Sequence, residues 1–156
     1  MKNSVKNIVT LILFSAVLIF AGYLGSVNSK EYYSMLILPD FAPPSWLFGV
    51  AWAVIYALMI LSAVIIEKYV VNGMYKKDAL GSYWLQLIIN VIWPWLFFVF
   101  KFNLLSFVWI VVLFIFVYIT FKKFYKLNKL SGVLLIPYLI WLVYAAYINL
   151  GVFILN

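Results

Sequence analysis

The residues of this sequence best suited to chemistry lie on one stripe of a strongly apolar segment. Tyr83, Gln86, Asn90, Trp93 and Phe97 follow one another at intervals of three or four residues. At about 100° per residue, this spacing places all five on one side of an α-helix. Two of them are amides, which need hydrogen-bonding partners in apolar surroundings. The stripe predicts either hydrogen bonds between helices or contacts with a bound ligand, and the spacing leaves both interpretations open.

Two other apolar segments each place a tryptophan on a face with hydrogen-bonding or small residues. These faces comprise Trp52, Tyr56 and Met59 in one segment and Trp141, Ala145, Ile148 and Asn149 in the other. Both tryptophans lie inside their segments rather than at the ends, where membrane anchors are usual. Ala145 leaves room one turn from Trp141, which suits a flat aromatic ligand stacked between rings. Core packing explains the same spacing, and periodicity alone favours it over ligand stacking.

The composition of the chain is that of a membrane protein. Of its 156 residues, 69% are hydrophobic and 10% are charged, so polar side chains are too few to cover a soluble globule. Five apolar runs lack Asp, Glu, Lys and Arg, and each is long enough to span about 30 Å of hydrocarbon as a helix. They cover residues 8–25, 47–66, 80–99, 104–121 and 133–153. We expect an all-α integral membrane protein, with residues 1–156 forming one domain of five transmembrane helices.

Several kinds of site are excluded by the residues present. The sequence contains no Cys and no His, which excludes disulfides, thiolate chemistry and the usual axial ligands of haem. Its four acidic residues are dispersed through the predicted loops: Glu31, Asp40, Glu67 and Asp78. We expect no metal site and no resident cofactor.

The lysines are distributed unevenly between the two sides of a five-span arrangement. The net charge is +7, but the cations lie beside the ends of the apolar runs, which argues against nucleic-acid binding. Only Lys30 and Lys101 fall on the side opposite the other lysines. We predict a multi-pass protein of a bacterial cell membrane, with a cytoplasmic N-terminus and with Asn156 outside. The segment 122–129 would then face anionic membrane lipid.

The connections and the fourth run carry further expectations. The first connection, residues 26–46, is the only long one and is a candidate lid. Its Pro43–Pro44 pair fixes two backbone angles and leads to Ser45, which we predict to be the N-cap of the second helix. The run 104–121 has almost no polar residue in its first half and is expected to face lipid or another subunit. The small pair Ala21 and Gly25 permits close helix contact and is a weak signal of a dimer.

Three segments resemble motifs of the TspO family of tryptophan-rich sensory proteins. Residues 32–56 read YYSMLILPDFAPPSWLFGVAWAVIY, residues 86–98 read QLIINVIWPWLFF, and residues 135–149 read LIPYLIWLVYAAYIN. With the five spans, the likeness covers nearly the whole chain. The resemblance implies a five-helix bundle, often a homodimer, with a pocket for porphyrins, sterols or synthetic aromatic ligands that is closed by the first loop.

The resemblance also implies roles for particular residues. Ten positions match family motif positions and are the expected ligand-binding residues: Pro43, Pro44, Trp52, Tyr56, Gln86, Asn90, Trp93, Trp141, Ala145 and Asn149. Some bacterial members are described as promoting light- and oxygen-dependent breakdown of protoporphyrin with two pocket tryptophans. Trp52 and Trp141 occupy the matching positions and are the expected catalytic residues if that reaction occurs.

Departures from the family pattern reduce the range of expected ligands. Leu38 replaces a common Lys, which removes one partner for porphyrin propionates. Lys30 and backbone donors at the start of the second helix are the candidates to replace it. No Lys or Arg follows Tyr144, so the sterol-recognition pattern of animal members is absent and sterols are the less favoured ligand.

We therefore expect a membrane-embedded binding or sensory protein for protoporphyrin IX or a related tetrapyrrole. The lack of His and Cys favours a metal-free porphyrin. One alternative is photo-oxidative degradation, in which the bound porphyrin itself supplies the chemistry. Another is ligand transport across the membrane, for which the sequence offers no charged intramembrane relay. A small packing subunit of a larger complex is the remaining alternative.

Overall fold

Helices account for nearly all of residues 2–71 and 73–156, which the computed structural model describes, the side chains of Lys2 and Asn3 excepted. An apolar run forms a helix because the bilayer offers no partner for a free N–H or C=O group. The helices are α1 (Lys2–Gly25), α2 (Ser29–Met35), α3 (Ser45–Tyr69), α4 (Gly73–Pro94), α5 (Asn103–Leu127), α6 (Lys129–Val133) and α7 (Ile136–Leu155). A wide π-helical turn, Trp95–Val99, continues α4. The described ranges contain no strand, and the prediction of an all-α fold is confirmed.

Five stretches are long and apolar enough to cross a membrane, as predicted. They are Ser4–Gly25, Ser45–Tyr69, Gly73–Val99, Asn103–Leu127 and Lys129–Leu155. Each extends beyond the corresponding apolar run, because lysine and glutamate favour helix as much as leucine does and continue it past the hydrocarbon.

The central helix of the bundle is α4. Of its span, 50% is buried, against 22–33% for the other four spans, and it packs against α1, α3 and α5. The predicted stripe lies on its buried side, where every member is at most 5% exposed: Tyr83, Gln86, Asn90, Trp93 and Phe97. The helical periodicity therefore located the interior face of α4 correctly.

α5, which contains the predicted fourth run 104–121, is buried on one face, contrary to the expectation. α5 packs against both α4 and α7, and it buries a stripe that includes Ile110, Leu113 and Val117. The Ser106 and Thr120 hydroxyls on this side donate to carbonyl oxygens four residues earlier, at 2.8 and 2.9 Å. Only the opposite face is exposed. The expectation that this helix faces lipid or another subunit is wrong for its buried side.

The small residues of α1 serve a contact within the chain. The Trp95 Nε1 donates to the Ala21 carbonyl at 3.1 Å, and a Cβ on Gly25 would lie 2.8 Å from the Trp95 ring. The Ala21 and Gly25 spacing thus lets the end of α4 approach α1 closely. That spacing carries no argument for a dimer.

The two ends of the bundle differ in their charge and in whether a loop segment covers them. We call the end that carries α2 and residues 36–44 the lid end, and the opposite end the lysine-rich end. At the lysine-rich end Glu67 is 7% exposed; its Oε1 accepts from the Asn7 Nδ2 at 3.0 Å and lies 3.6 Å from the Lys76 Nζ. A buried carboxylate needs such partners. Glu31, Glu67 and Asp78 lie in helices, so the prediction that the acidic residues occupy loops is wrong for these three.

Candidate functional site

A cavity of about 760 Å³ lies at the lid end between α1, α2, α3 and α4. Its inner wall is formed by Trp52 and Tyr56 of α3 and by Asn90 and Trp93 of α4. The volume falls within the roughly 300–1,000 Å³ of small-molecule sites, and the combination of apolar walls with a few polar groups is typical of them.

The inner wall is a cluster of aromatic rings centred on Trp52. The Trp52 ring stacks on Tyr56 with centroids 5.4 Å apart and lies 6.4 Å from the Trp93 ring. The edge of Tyr138 completes the cluster at 6.0 Å. Aromatic pairs at these separations hold one another in place. The wall therefore presents a broad, fixed aromatic surface to the cavity.

Asn90 organises the polar part of this wall. The Tyr56 hydroxyl donates to the Asn90 Oδ1 at 2.8 Å, and the Asn90 Nδ2 donates to the Tyr138 hydroxyl. These bonds join α3, α4 and α7 through one amide. The interpretation of the stripe as hydrogen bonding between helices is correct for Asn90. Its contact with a ligand stays a prediction.

Four of the ten expected ligand-binding residues line the cavity, and six do not. Those that line it are Trp52, Tyr56, Asn90 and Trp93, and those that lie elsewhere are Pro43, Pro44, Gln86, Trp141, Ala145 and Asn149. The two tryptophans expected to act together are therefore placed differently. Their roles, and those of the other eight residues, stay predictions.

Trp141 lies behind the cavity wall rather than in it. Its ring meets the edge of Phe48 at 5.8 Å, and Phe48 is the residue that lines the cavity. Its Nε1 is buried without a hydrogen-bond partner in the part of the chain that the structure describes. Asn149 is also set back, where its Oδ1 accepts from the Trp93 Nε1 at 3.3 Å and its Nδ2 donates to the Ala145 carbonyl at 2.8 Å. These three residues support the wall from behind.

Gln86 is a second interior side chain with unused hydrogen-bonding capacity. It is 1% exposed, and both its amide nitrogen and its amide oxygen lack a partner among the described residues. Buried unpaired amide atoms destabilise a fold by about 1–3 kcal/mol per group. Its neighbours in the stripe are different, since the Tyr83 hydroxyl is hydrogen-bonded to the Ser15 hydroxyl at 2.7 Å.

The start of α3 differs from its prediction. Pro44 occupies the N-cap position with extended backbone angles, and no side chain caps the helix. Ser45 is the first helical residue, so its prediction as the N-cap is wrong. Pro43 is buried, and its carbonyl accepts from the Tyr33 hydroxyl at 2.8 Å. The proline pair thus shapes the lid rather than the cavity surface.

The lid is hydrogen-bonded to side chains from the middle of α7 and to Asn156, the residue that follows this helix. The Tyr144 and Tyr147 hydroxyls each donate at 2.7 Å, to the carbonyls of Phe41 and Asp40. Asn156 forms two bonds with the backbone of Ile37, at 2.9 and 3.0 Å. The sequence did not reveal these bonds, because spacing along α7 does not indicate which loop its tyrosines meet.

The other edge of the lid is fixed to α5. The Tyr32 hydroxyl donates to the Asn103 Oδ1 at 2.9 Å. Its ring packs edge-on against Phe97 at 5.6 Å, and the Lys101 Nζ lies 5.2 Å from the ring centroid. The lid is therefore tied to the bundle on two sides.

The top of the cavity combines one cation with neutral polar groups. Lys30 of α2 is the one charged side chain among the described residues that line the cavity. Burial raises the pKa of the Tyr33 phenol to about 12, and the nearby Tyr144 phenol adds to the effect. Tyr33 is therefore neutral at physiological pH. Leu38 does not line the cavity and packs against the core instead.

One side of the cavity was missed by the sequence reasoning. Ile19, Gly22, Tyr23 and Ser26 of α1 and its C-terminal end all line it. Their spacing of three, four and seven residues is the helical signal that would have identified this face. It was obscured because α1 is apolar all round, so that a lining face and a lipid face look alike.

The sequence matches the model of the TspO/MBR family over residues 8–155. It is 31% identical to the tryptophan-rich protein TspO of Chlorobaculum tepidum, over 97% of this chain and 98% of that protein. It is 35% identical to the tryptophan-rich sensory protein of Cereibacter sphaeroides, over 83% of this chain and 80% of that protein. Similarity extends to the translocator protein of Sus scrofa, at 32% identity over 87% of this chain and 83% of that protein.

Proposed function

The chain belongs to the TspO/MBR family, and on this premise we propose that its cavity binds a flat hydrophobic ligand, foremost protoporphyrin IX or a related tetrapyrrole. The protein acts as a membrane binding or sensory protein. The observation that carries the proposal is the aromatic inner wall, in which Trp52 is flanked by Tyr56 and Trp93. A planar ligand would stack on such a surface and bury its faces.

The proposal includes an orientation in the membrane. The lysine-rich end lies in the cytoplasm of a bacterial cell, since cytoplasmic ends of membrane proteins carry the excess of Lys and Arg. The lid end, with the cavity, then faces the outside. Anionic lipid of the inner leaflet would contact the lysine-rich end.

A titration tests the binding function. Protoporphyrin IX is added in the dark to detergent-purified protein, and binding is followed by the porphyrin Soret band, which does not depend on protein tryptophan. We expect Trp52→Phe to weaken binding about threefold to tenfold, because an aromatic pair contributes about 0.5–1.5 kcal/mol. Trp84→Phe is the matched control, since Trp84 lies in α4 outside the cavity lining. If the wild-type protein gives no saturable Soret shift, the proposed function is refuted.

The position of the Trp52 ring in the cavity wall also favours a second function. Light- and oxygen-dependent breakdown of the bound porphyrin would place the photochemistry on the ligand and the oxidisable groups on the protein. Trp52 lies in the cavity wall, whereas Trp141 lies behind Phe48. Under illumination in air, we therefore expect Trp52→Phe to slow loss of the Soret band more than Trp141→Phe does. Equal rates for wild type and both variants would argue for binding without tryptophan-dependent degradation.

A further inference from the structure

The cavity is open on one side within the membrane-spanning part of the protein. Trp46, Gly49 and Ala53 of α3 line the cavity and are also exposed, as is Tyr23 of α1. All four belong to stretches that cross the membrane. The segment from Trp46 to Ala53 extends about 10 Å at about 1.5 Å per residue. We call this opening, between Tyr23 on one side and Trp46, Gly49 and Ala53 on the other, the side portal.

At the lid end, the cavity lies between α1 and α3. At the lysine-rich end they are joined by the bond from Asn7 to Glu67, at 3.0 Å. Farther along, α1 is bonded to α4 instead, through Ser15 and Tyr83 at 2.7 Å. The opening therefore faces the hydrocarbon and interfacial region of the leaflet that contains the lid end.

The lid offers a more difficult route than the side portal. Moving it away would break the bonds that Tyr144, Tyr147 and Asn156 make with its backbone, each between 2.7 and 3.0 Å. The bond from Tyr32 to Asn103 would break as well. No such bond crosses the side portal among the described residues. A ligand already dissolved in the bilayer reaches the aromatic wall without displacing the lid.

We infer that ligands enter and leave sideways from the bilayer through the side portal, and that Lys30 selects amphiphiles with an acidic group. This inference rests on the proposed function of the cavity. Lys30 lines the cavity at the lid end together with Ser26 and Ser29. With the lid end at the membrane surface, these residues would meet the polar end of a membrane-dissolved amphiphile. A carboxylate beside the Lys30 ammonium gains a charge-assisted hydrogen bond. The apolar body of the ligand would lie deeper, against Trp52.

Gly49 makes the side portal testable without disturbing the fold. A Cβ on Gly49 would meet no atom within 4 Å, so a larger side chain fits the folded protein and narrows the opening. Gly81 of α4 has the same open surroundings and lies outside the cavity lining. Gly81→Phe is therefore a control for Gly49→Phe, since both replace an exposed helical glycine by the same ring.

The experiment measures rates of protoporphyrin IX binding to proteoliposomes by stopped flow. We expect Gly49→Phe to slow both association and dissociation by about tenfold, because both directions use the same opening. Gly81→Phe should match the wild type. Wild-type rates in Gly49→Phe would overturn the side portal while leaving the proposed function intact. Absence of saturable binding by the wild-type protein would overturn both.

A second pair of variants separates the two routes. Tyr144→Phe/Tyr147→Phe removes two of the bonds that hold the lid. Entry through the side portal predicts unchanged association, whereas entry under the lid predicts faster association, and a clear acceleration would overturn the inference.

The charge selection has its own matched test. Protoporphyrin IX and its dimethyl ester differ in the two acidic groups that the ester lacks, so the ratio of their affinities reports the contribution of charge. We expect Lys30→Gln to lower this ratio about threefold to fivefold, the size of a partly exposed ion pair. Lys101→Gln removes the other cation of the lid end, which lies outside the cavity lining, and should leave the ratio unchanged. An equal ratio in wild type and Lys30→Gln would refute the role of Lys30.

Discussion

Replacing two amides of the same helix should change stability in opposite directions. Asn90 joins the Tyr56 and Tyr138 hydroxyls through its two amide atoms, whereas both amide atoms of Gln86 lack a partner among the described side chains and backbone. Both residues are 1% exposed. Leucine approximates the size of either side chain and removes its polar atoms. The comparison therefore isolates the hydrogen bonds from packing.

The expected magnitudes follow from the number of bonds. Asn90→Leu removes two interhelical hydrogen bonds, each contributing about 0.6 kcal/mol in membrane proteins and about 1 kcal/mol in soluble ones. It should lower the free energy of unfolding by about 1–2 kcal/mol. Gln86→Leu removes no hydrogen bond and relieves two unpaired atoms, so it should leave this free energy unchanged or raise it by up to about 1 kcal/mol.

A third variant tests the cause of the loss. In Tyr56→Phe/Asn90→Leu/Tyr138→Phe no polar atom of the network remains, and such complete replacement is nearly neutral. We expect it to recover most of the stability that Asn90→Leu loses.

The assay is reversible unfolding of the detergent-solubilised protein by SDS, followed by circular dichroism. An Asn90→Leu variant as stable as wild type would refute the account of this network. So would a triple variant no more stable than Asn90→Leu. A Gln86→Leu variant destabilised as much as Asn90→Leu would show that Gln86 is hydrogen-bonded after all.

Two further predictions concern a close contact and the lid. Gly132→Ala should lower the melting temperature by the equivalent of about 1–3 kcal/mol, because its Cβ would lie 2.5 Å from the Tyr125 Cα. The control Gly81→Ala, with open surroundings, should raise the melting temperature slightly. Equal melting temperatures in the two variants would contradict the close contact at Gly132. The pKa of Tyr33 is raised to about 12 by burial, so its contribution to stability is complete below about pH 10, the usual tyrosine pKa, and is lost as the pH rises through 12. The decrease in melting temperature between pH 9 and pH 11 should therefore be smaller in Tyr33→Phe than in wild type. An equal decrease would show that ionisation of Tyr33 does not cause the loss of stability.

The sequence predicted which side of a helix is buried better than it predicted which residues of other helices that side contacts. Periodicity located the interior side of α4, because each residue of the stripe is buried by whatever helix lies opposite. It placed Trp52 and Trp141 on interior faces equally well. It did not indicate that Phe48 stands between Trp141 and the cavity, since the spacing within one helix carries no information about which residue of another helix it meets.

Backbone irregularity explains a second difference between prediction and structure. Pro94 has no N–H to donate, and the residues after it form a wide turn in which the Phe100 N–H donates to the Trp95 carbonyl at 2.9 Å. Within this turn, Trp95 reaches the Ala21 carbonyl of α1. A regular helical pattern assigns Trp95 no such partner. The small residues of α1 therefore indicate a close helix contact, but the sequence does not show that Trp95 makes it.

The position of Lys30 would orient an acidic ligand within the cavity. The resemblance to the family implies a common lysine at position 38, in the lid segment 36–44, but here Leu38 packs against the core. The cation that lines the cavity is Lys30, on α2. Because α2 follows α1 directly and the side portal lies between α1 and α3, an acidic group paired with Lys30 would remain near the opening while the ring system extends toward Trp52. In the proposed arrangement a ligand would enter the cavity with its ring system first and would keep its acidic group near the membrane surface throughout.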